Sequence, residues 1–180
     1  VNGSLINVPD HRGHTLSAHP AFGEVMVRAL EAARSAAESG DVPIGAAVLH
    51  MPIGGETATL AVAGNEREQR GDPTAHAEVL ALRAAALELG RWRLDDCVLV
   101  VTLEPCPMCA GAAWAARIGG VVFGAVNTDA GATGSLYHLG QDPRLNHEFP
   151  TLGGVRAEEC TDLLDSFFAD RRPQRGDLAV

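Results

Sequence analysis

The sequence predicts a three-layer α/β domain, and three observations carry that expectation. The chain has 180 residues, 46% hydrophobic and only 4% aromatic, so aliphatic side chains suffice to fill one core. Short apolar runs alternate with stretches of helical periodicity in the order helix, strand, strand, helix, strand, helix, strand, helix. Gly and Pro punctuate the boundaries, and the 20 Gly and 10 Pro follow no period, which excludes collagen-like and low-complexity readings.

Residues 1–20 mix Gly, Pro, His and Ser with little periodicity and are expected to form a disordered extension outside the fold, with His11, His14 and His19 solvated. Over residues 21–39, Phe22, Val25, Met26, Ala29, Leu30 and Ala33 recur at helical spacing, and Gly40 stands where such a helix stops. The apolar runs 44–50 and 57–63, joined by Met51-Pro-Ile-Gly-Gly55, read as a hairpin. Asp72-Pro-Thr-Ala75 supplies turn and cap chemistry, so a second helix is expected from about Ala75 to Leu89, closed by Gly90. Residues 97–103 are continuously apolar, as in a central strand covered on both faces. Pro105 and Pro107 end it, and Pro107 suits the first turn of a third helix reaching 117. A buried strand at 121–126, a Gly-rich loop at 129–134 and a last helix at 158–171 complete a domain over 21–172, with 173–180 expected as a flexible tail. Cys97 and Cys160 fall among apolar neighbours and read as core residues.

The formal charge is −9, a field that repels phosphate backbones unless basic residues gather locally. Arg171, Arg172 and Arg175 form such a cluster, so Arg171 and Arg172 are candidate RNA contacts; charge complementing the end of the last helix is the plainer alternative. No stretch approaches the ~20 apolar residues of a membrane span, and residues 1–20 lack an apolar signal core. Four cysteines make a thin disulfide framework for this length, so a cytoplasmic protein with reduced thiols and no membrane association is expected.

His76, Cys106 and Cys109 lie near predicted helix starts, and their donor types select zinc. Cys106 and Cys109 are three apart, so in a first helical turn they can grip one ion, and the helix N-terminus favours thiolate over thiol. Three protein ligands leave the fourth tetrahedral position open for a water, as in catalytic zinc sites. Glu78, two residues after His76, is expected to point away from it on a regular helix, which suits a proton shuttle better than a fourth ligand. Alone, C-x-x-C is equally a redox motif or half a zinc knuckle; with His-x-Glu at a helix start and Pro105-Cys-Pro-Met-Cys109 after a buried strand, the pattern is that of zinc nucleobase deaminases.

At these residues the chain resembles the cytidine/deoxycytidylate deaminase superfamily, and within it the bacterial tRNA-specific adenosine deaminases. The likeness extends through Asp41-Val-Pro-Ile-Gly-Ala46, Asn65, Gly71-Asp-Pro-Thr-Ala-His-Ala-Glu78, Val101-Thr-Leu-Glu-Pro-Cys106, Val121-Val-Phe-Gly124 and Gly131-Ala-Thr-Gly-Ser-Leu136. It implies an α/β/α domain with a central mixed sheet of about five strands, one zinc per subunit held by His76, Cys106 and Cys109, and Glu78 as proton carrier to and from a zinc-bound water. It further implies a homodimer acting on a tRNA anticodon stem-loop, converting the wobble adenosine to inosine, with Asn65 contacting the base and Ile44 and Ala75 contributing to the pocket. Guanine deaminases share the zinc motifs, so deamination of a free nucleobase or nucleoside such as guanine or cytosine is the alternative. A zinc-stabilised RNA-binding module without catalysis is a third reading, against which Glu78 speaks. The chain departs from the family at Val126-Asn127, where a basic residue and Asp are usual. That loop borders the expected nucleic-acid side and makes Asn127 a candidate substrate contact.

Overall fold

The strand Cys97–Leu103, apolar but for Thr102, has buried side chains at every position but the last, and the rest of the domain is arranged around it. In the computed structural model, residues 6–8 and 15–171 are described. The elements are β1 (Ile6–Val8), α1 (Pro20–Glu38), β2 (Gly45–His50), β3 (Ala58–Gly64), α2 (Arg67–Arg70), α3 (Ala77–Glu88), β4 (Cys97–Leu103), α4 (Pro107–Ala115), β5 (Gly120–Ala125), a short 3-10 turn at Leu139–Gln141, β6 (Thr151–Gly153) and α5 (Ala157–Arg171). The sheet runs β1-β6-β5-β4-β2-β3. β4, β5 and β6 are parallel, whereas β2 pairs antiparallel with β4 and β3, and β1 with β6, so the sheet is mixed.

Alternation along the central strands sends Ala46, Val48, Leu99, Val101, Val121 and Phe123 toward α3 and α4, where Ala77, Ala81, Leu82 and Ala113 meet them. Ala47, Leu49, Val98, Val100 and Val122 face the opposite layer, filled by Phe22, Met26, Ala29 and Leu30 of α1 and Cys160 of α5. These are the three layers expected. Cys97 and Cys160 are fully buried, as anticipated for core thiols.

The amino-terminal segment departs from expectation. Residues 1–20 were expected outside the fold, yet Ile6–Val8 adds a sixth strand, with Ile6 opposite Gly153 and Val8 opposite Thr151. Leu16 packs on the α1-side core, and His19 caps α1 by accepting the Ala21 N–H at Nδ1, 3.2 Å away. A short strand needs only the free edge of β6 as a partner, which no local pattern announces. The expected tail at 173–180 lies outside the described residues. On α5, Phe167 is half-buried beneath the Arg171 guanidinium, while Phe168 is exposed.

Helix α1 lies as close to the sheet as backbone atoms permit. Gly45 and Gly64 face each other in register, and a Cβ on Gly45 would stand 1.9 Å from the Ala29 carbonyl oxygen, one on Gly64 2.6 Å from that of Ala32. Gly45→Ala should therefore overpack this contact and cost about 1–3 kcal/mol, read as a lowered urea midpoint with unchanged slope. Gly23→Ala, on α1 where a Cβ meets nothing within 4 Å, should leave the midpoint equal or higher.

Candidate active site

The topology brings four chain segments to one edge of the sheet. β4 and β5 are parallel and end there, β3 ends there, and β2, antiparallel to β4, begins there. The carboxyl ends of parallel strands are where open α/β sheets bind ligands. His76 is the N-cap of α3 and Cys106 the N-cap of α4, each with extended backbone, and Cys109 follows in the first turn of α4. The His76 side chain makes no bond to its own helix, so its imidazole is free to turn toward the two cysteines. His76 Nδ1 lies 3.5 Å from Cys109 Sγ and 3.9 Å from Cys106 Sγ, and the three donor atoms all fall within 4.8 Å of one another. A tetrahedral ion with Zn–S near 2.3 Å and Zn–N near 2.0–2.1 Å holds sulfur and nitrogen about 3.6 Å apart. The donor set therefore fits zinc in number, type and spacing, with His76 binding through Nδ1.

Hydrogen bonding from Cys109, ahead of the opposing effect of burial, and then from His76 holds the Cys106 thiol down to about 4, while the same bond and burial push Cys109 up. His76 is raised, chiefly by Cys106. Two helix N-termini converge on this thiolate, and their unsatisfied N–H groups favour its charge.

Glu78 and Asn65 complete the site. Glu78 was expected to diverge from His76, but His76 stands in extended backbone just outside the helix, so the regular-helix argument does not apply, and the Glu78 carboxyl comes within hydrogen-bonding reach of Cys109. Glu78 is buried, and desolvation raises its pKa above the ordinary carboxylate value. Its Oε2 and the Nδ2 of Asn65 are both buried with no protein partner. Asn65 Oδ1 accepts the Ala77 N–H at 2.9 Å, which leaves its amide NH2 as a free donor beside the first turn of α3. Backbone bonds from Asn65 N–H to the Ile44 carbonyl and from Glu66 N–H to the Ala75 carbonyl, each 3.0 Å, bring half-buried Ile44 and buried Ala75 to the same place.

Other candidates are engaged elsewhere. Asn127 Oδ1 accepts the Asp129 and Ala130 N–H groups, so its side chain shapes its own turn. Arg171 donates to the Gly40 carbonyl at 3.1 Å and covers Phe167, on the α1 and α5 side of the sheet; Arg172 lies outside the described residues. His147 bonds through Nε2 to the Ile118 carbonyl at 2.9 Å. Two buried carboxylates lie within motifs that carry the resemblance but have no role assigned from sequence. Asp41 accepts the Glu68 N–H at 2.8 Å and so fixes α2 beside the start of β2. Glu104, directly before Pro105-Cys106, accepts three backbone N–H groups of the loop after β5. An acidic residue directly after a mostly apolar strand was the available signal for it.

Cys106→Ser should abolish tight zinc binding, measured as less than about 0.1 equivalent after gel filtration, against one for the parent chain, because the hydroxyl is neither anionic nor soft.

The model of the cytidine and deoxycytidylate deaminase zinc-binding region matches residues 22–125. The chain is 44% identical over 150 residues to the tRNA-specific adenosine deaminase of Bacillus subtilis, covering 83% of this chain and 90% of that protein. It is similar to a structure solved in studies of A-to-I editing by tRNA:A34 deaminases at the wobble position of transfer RNA, with a TM-score of 0.73 and 37% identity over 78% of this chain and 99% of that one. The guanine deaminase of Bacillus subtilis gives a TM-score of 0.53 with 38% identity, over 63% of this chain and 68% of that one. With its zinc donors, buried carboxyl and strand-to-helix context inside the matched region, the chain belongs to the cytidine and deoxycytidylate deaminase family.

Proposed function

We propose that this protein hydrolyses adenosine to inosine at the wobble position of a tRNA anticodon, with one zinc ion per subunit. The observation that carries the reading is the pair of unpartnered buried atoms beside the zinc donors, Glu78 Oε2 and Asn65 Nδ2. A buried site offering one acceptor and one donor is complementary to a polar heterocycle that presents the matching pair. The names borne by the similar proteins point to adenosine in tRNA.

His76, Cys106 and Cys109 hold the zinc, which when bound supplies the Lewis acidity that makes a water nucleophilic at neutral pH. Glu78 takes a proton from the attacking water at Oε2 and passes it to the ring nitrogen next to the amine-bearing carbon. It then carries the second proton to the departing amine, so that adenosine and water yield inosine and ammonia. Its raised proton affinity suits a group that must both accept and release. Asn65, held through Oδ1, aims Nδ2 at an acceptor on the base, and Ile44 and Ala75 wall the pocket. An anticodon loop presents bases already unpaired, so extruding one costs little.

Action on tRNA implies a cytoplasmic enzyme, a placement compatible with the finding that no described helix is long and apolar enough to cross a membrane. We include a homodimer in the proposal on family grounds. The likeness to a guanine deaminase favours a free purine as the competing substrate.

Ammonia release from zinc-loaded protein should be seen with an anticodon stem-loop bearing wobble adenosine, with inosine appearing at that position, and should be absent with free adenine, guanine, cytosine and their nucleosides. Turnover of a free base with none of the stem-loop would refute the tRNA reading. Glu78→Ala should retain one zinc equivalent while kcat falls about 10²–10⁴-fold.

A further inference from the structure

Glu104 is 1% exposed, and each carboxylate oxygen is occupied by the backbone of one loop. Oε2 accepts the Asn127 N–H at 3.1 Å, and Oε1 accepts those of Thr133 and Ser135 at 3.1 and 3.0 Å. A buried carboxylate is costly unless fully hydrogen-bonded, and charge-assisted bonds of this kind are the strong ones. The chain between these contacts winds closely around the carboxylate, since a Cβ on Gly131 would stand 2.4 Å from Glu104 Oε2 and 2.0 Å from Ser135 Oγ. A further tie runs from the Ala132 N–H to the carbonyl of Pro105, 2.8 Å away, the residue directly before Cys106. Leu103 and Ala125 are paired in the parallel register, so the loop leaves the sheet at the edge where Cys106 sits. Its outer side displays Val126, Leu136 and Tyr137, 43%, 52% and 56% exposed. Leu136 and Tyr137 are fixed through N–H bonds to the Gly131 carbonyl, each 3.2 Å.

We infer that Glu104 is a positioning residue for substrate: it fixes the rim formed by the 126–137 loop relative to the Cys106 turn, and so sets how a polynucleotide seats over the pocket. This rests on the tRNA reading above. Glu104 touches neither the zinc donors nor Glu78 through any of these bonds, so its role separates from metal binding and proton transfer.

The test is Glu104→Gln, which keeps size but turns an NH2 toward at least one N–H of the loop. KM for the anticodon stem-loop should rise about tenfold while kcat stays within about threefold, because the loss falls on substrate seating. Zinc stoichiometry should be unchanged, and hydrogen exchange should quicken at the Asn127, Thr133 and Ser135 amides. Gly131→Ala, which forces the loop off the carboxylate without altering it, should reproduce this pattern, and it replaces the first variant if that one does not fold. An unchanged KM, a fall in kcat alone, lost zinc or unaltered exchange at the three amides would each overturn the inference. Should the parent protein act on a free base instead, the tRNA reading fails; for Glu104 the same KM split and amide exchange, measured with that base, then decide.

Discussion

The hydrogen bond from the Ala77 N–H to Asn65 Oδ1 is the interaction on which the site depends. A helix N-terminus leaves N–H groups without partners, and the N-cap side chain ordinarily satisfies one of them. Here the N-cap of α3 is His76, whose imidazole is turned to the cysteines, so the helix is capped from the end of β3 instead. The arrangement does two things at once. It frees His76 to be a ligand, and it spends the acceptor of Asn65 so that only its donor faces the pocket. The Asn65 amide is thereby left as a buried donor of fixed direction.

Much of this was legible in the sequence because the relevant signals are local. The run 97–103 is apolar but for Thr102 and is β4; the alternation at Ala46, Ala47, Val48 and Leu49 divides cleanly between the two layers. The zinc donors were legible from donor type and spacing, since few other groupings need a His, two Cys three apart and helix starts after strands. What escaped depends on partners remote in the chain. Glu104 bonds to amides 23 to 31 residues away, and Asp41 to one 27 residues away. β6 is three residues long, α2 four, too short for any period to show. Asn127 and Arg171 carried real chemical potential as side chains, but neighbouring backbone groups engage both.

Charge follows the same logic of place over total. The chain is formally −9, yet the site gathers the positive ends of two helices around the Cys106 thiolate and keeps Glu78 buried beside it. Several arginines are paired locally, Arg91 with Asp95 and Asp96, Arg144 with Asp142 and Arg156 with Glu159, so the count of basic residues overstates what is free for a polyanion.

The strand β1 has a consequence for the order in which the molecule assembles. Ile6 pairs with Gly153, so closing this contact gathers nearly the whole chain into one loop, the largest entropic cost of any pairing in the sheet. The hairpin of β2 and β3 closes over a few residues and the β4 to β5 crossover over about twenty. By loop-closure cost, assembly runs outward from β2 to β5, the strands that lead into the helices holding the zinc donors, and the amino-terminal strand docks on a deaminase core already formed. In the native sheet β1 pairs with β6 alone, so releasing it would uncover that edge and leave the pairing of β2 to β5 at the catalytic end in place.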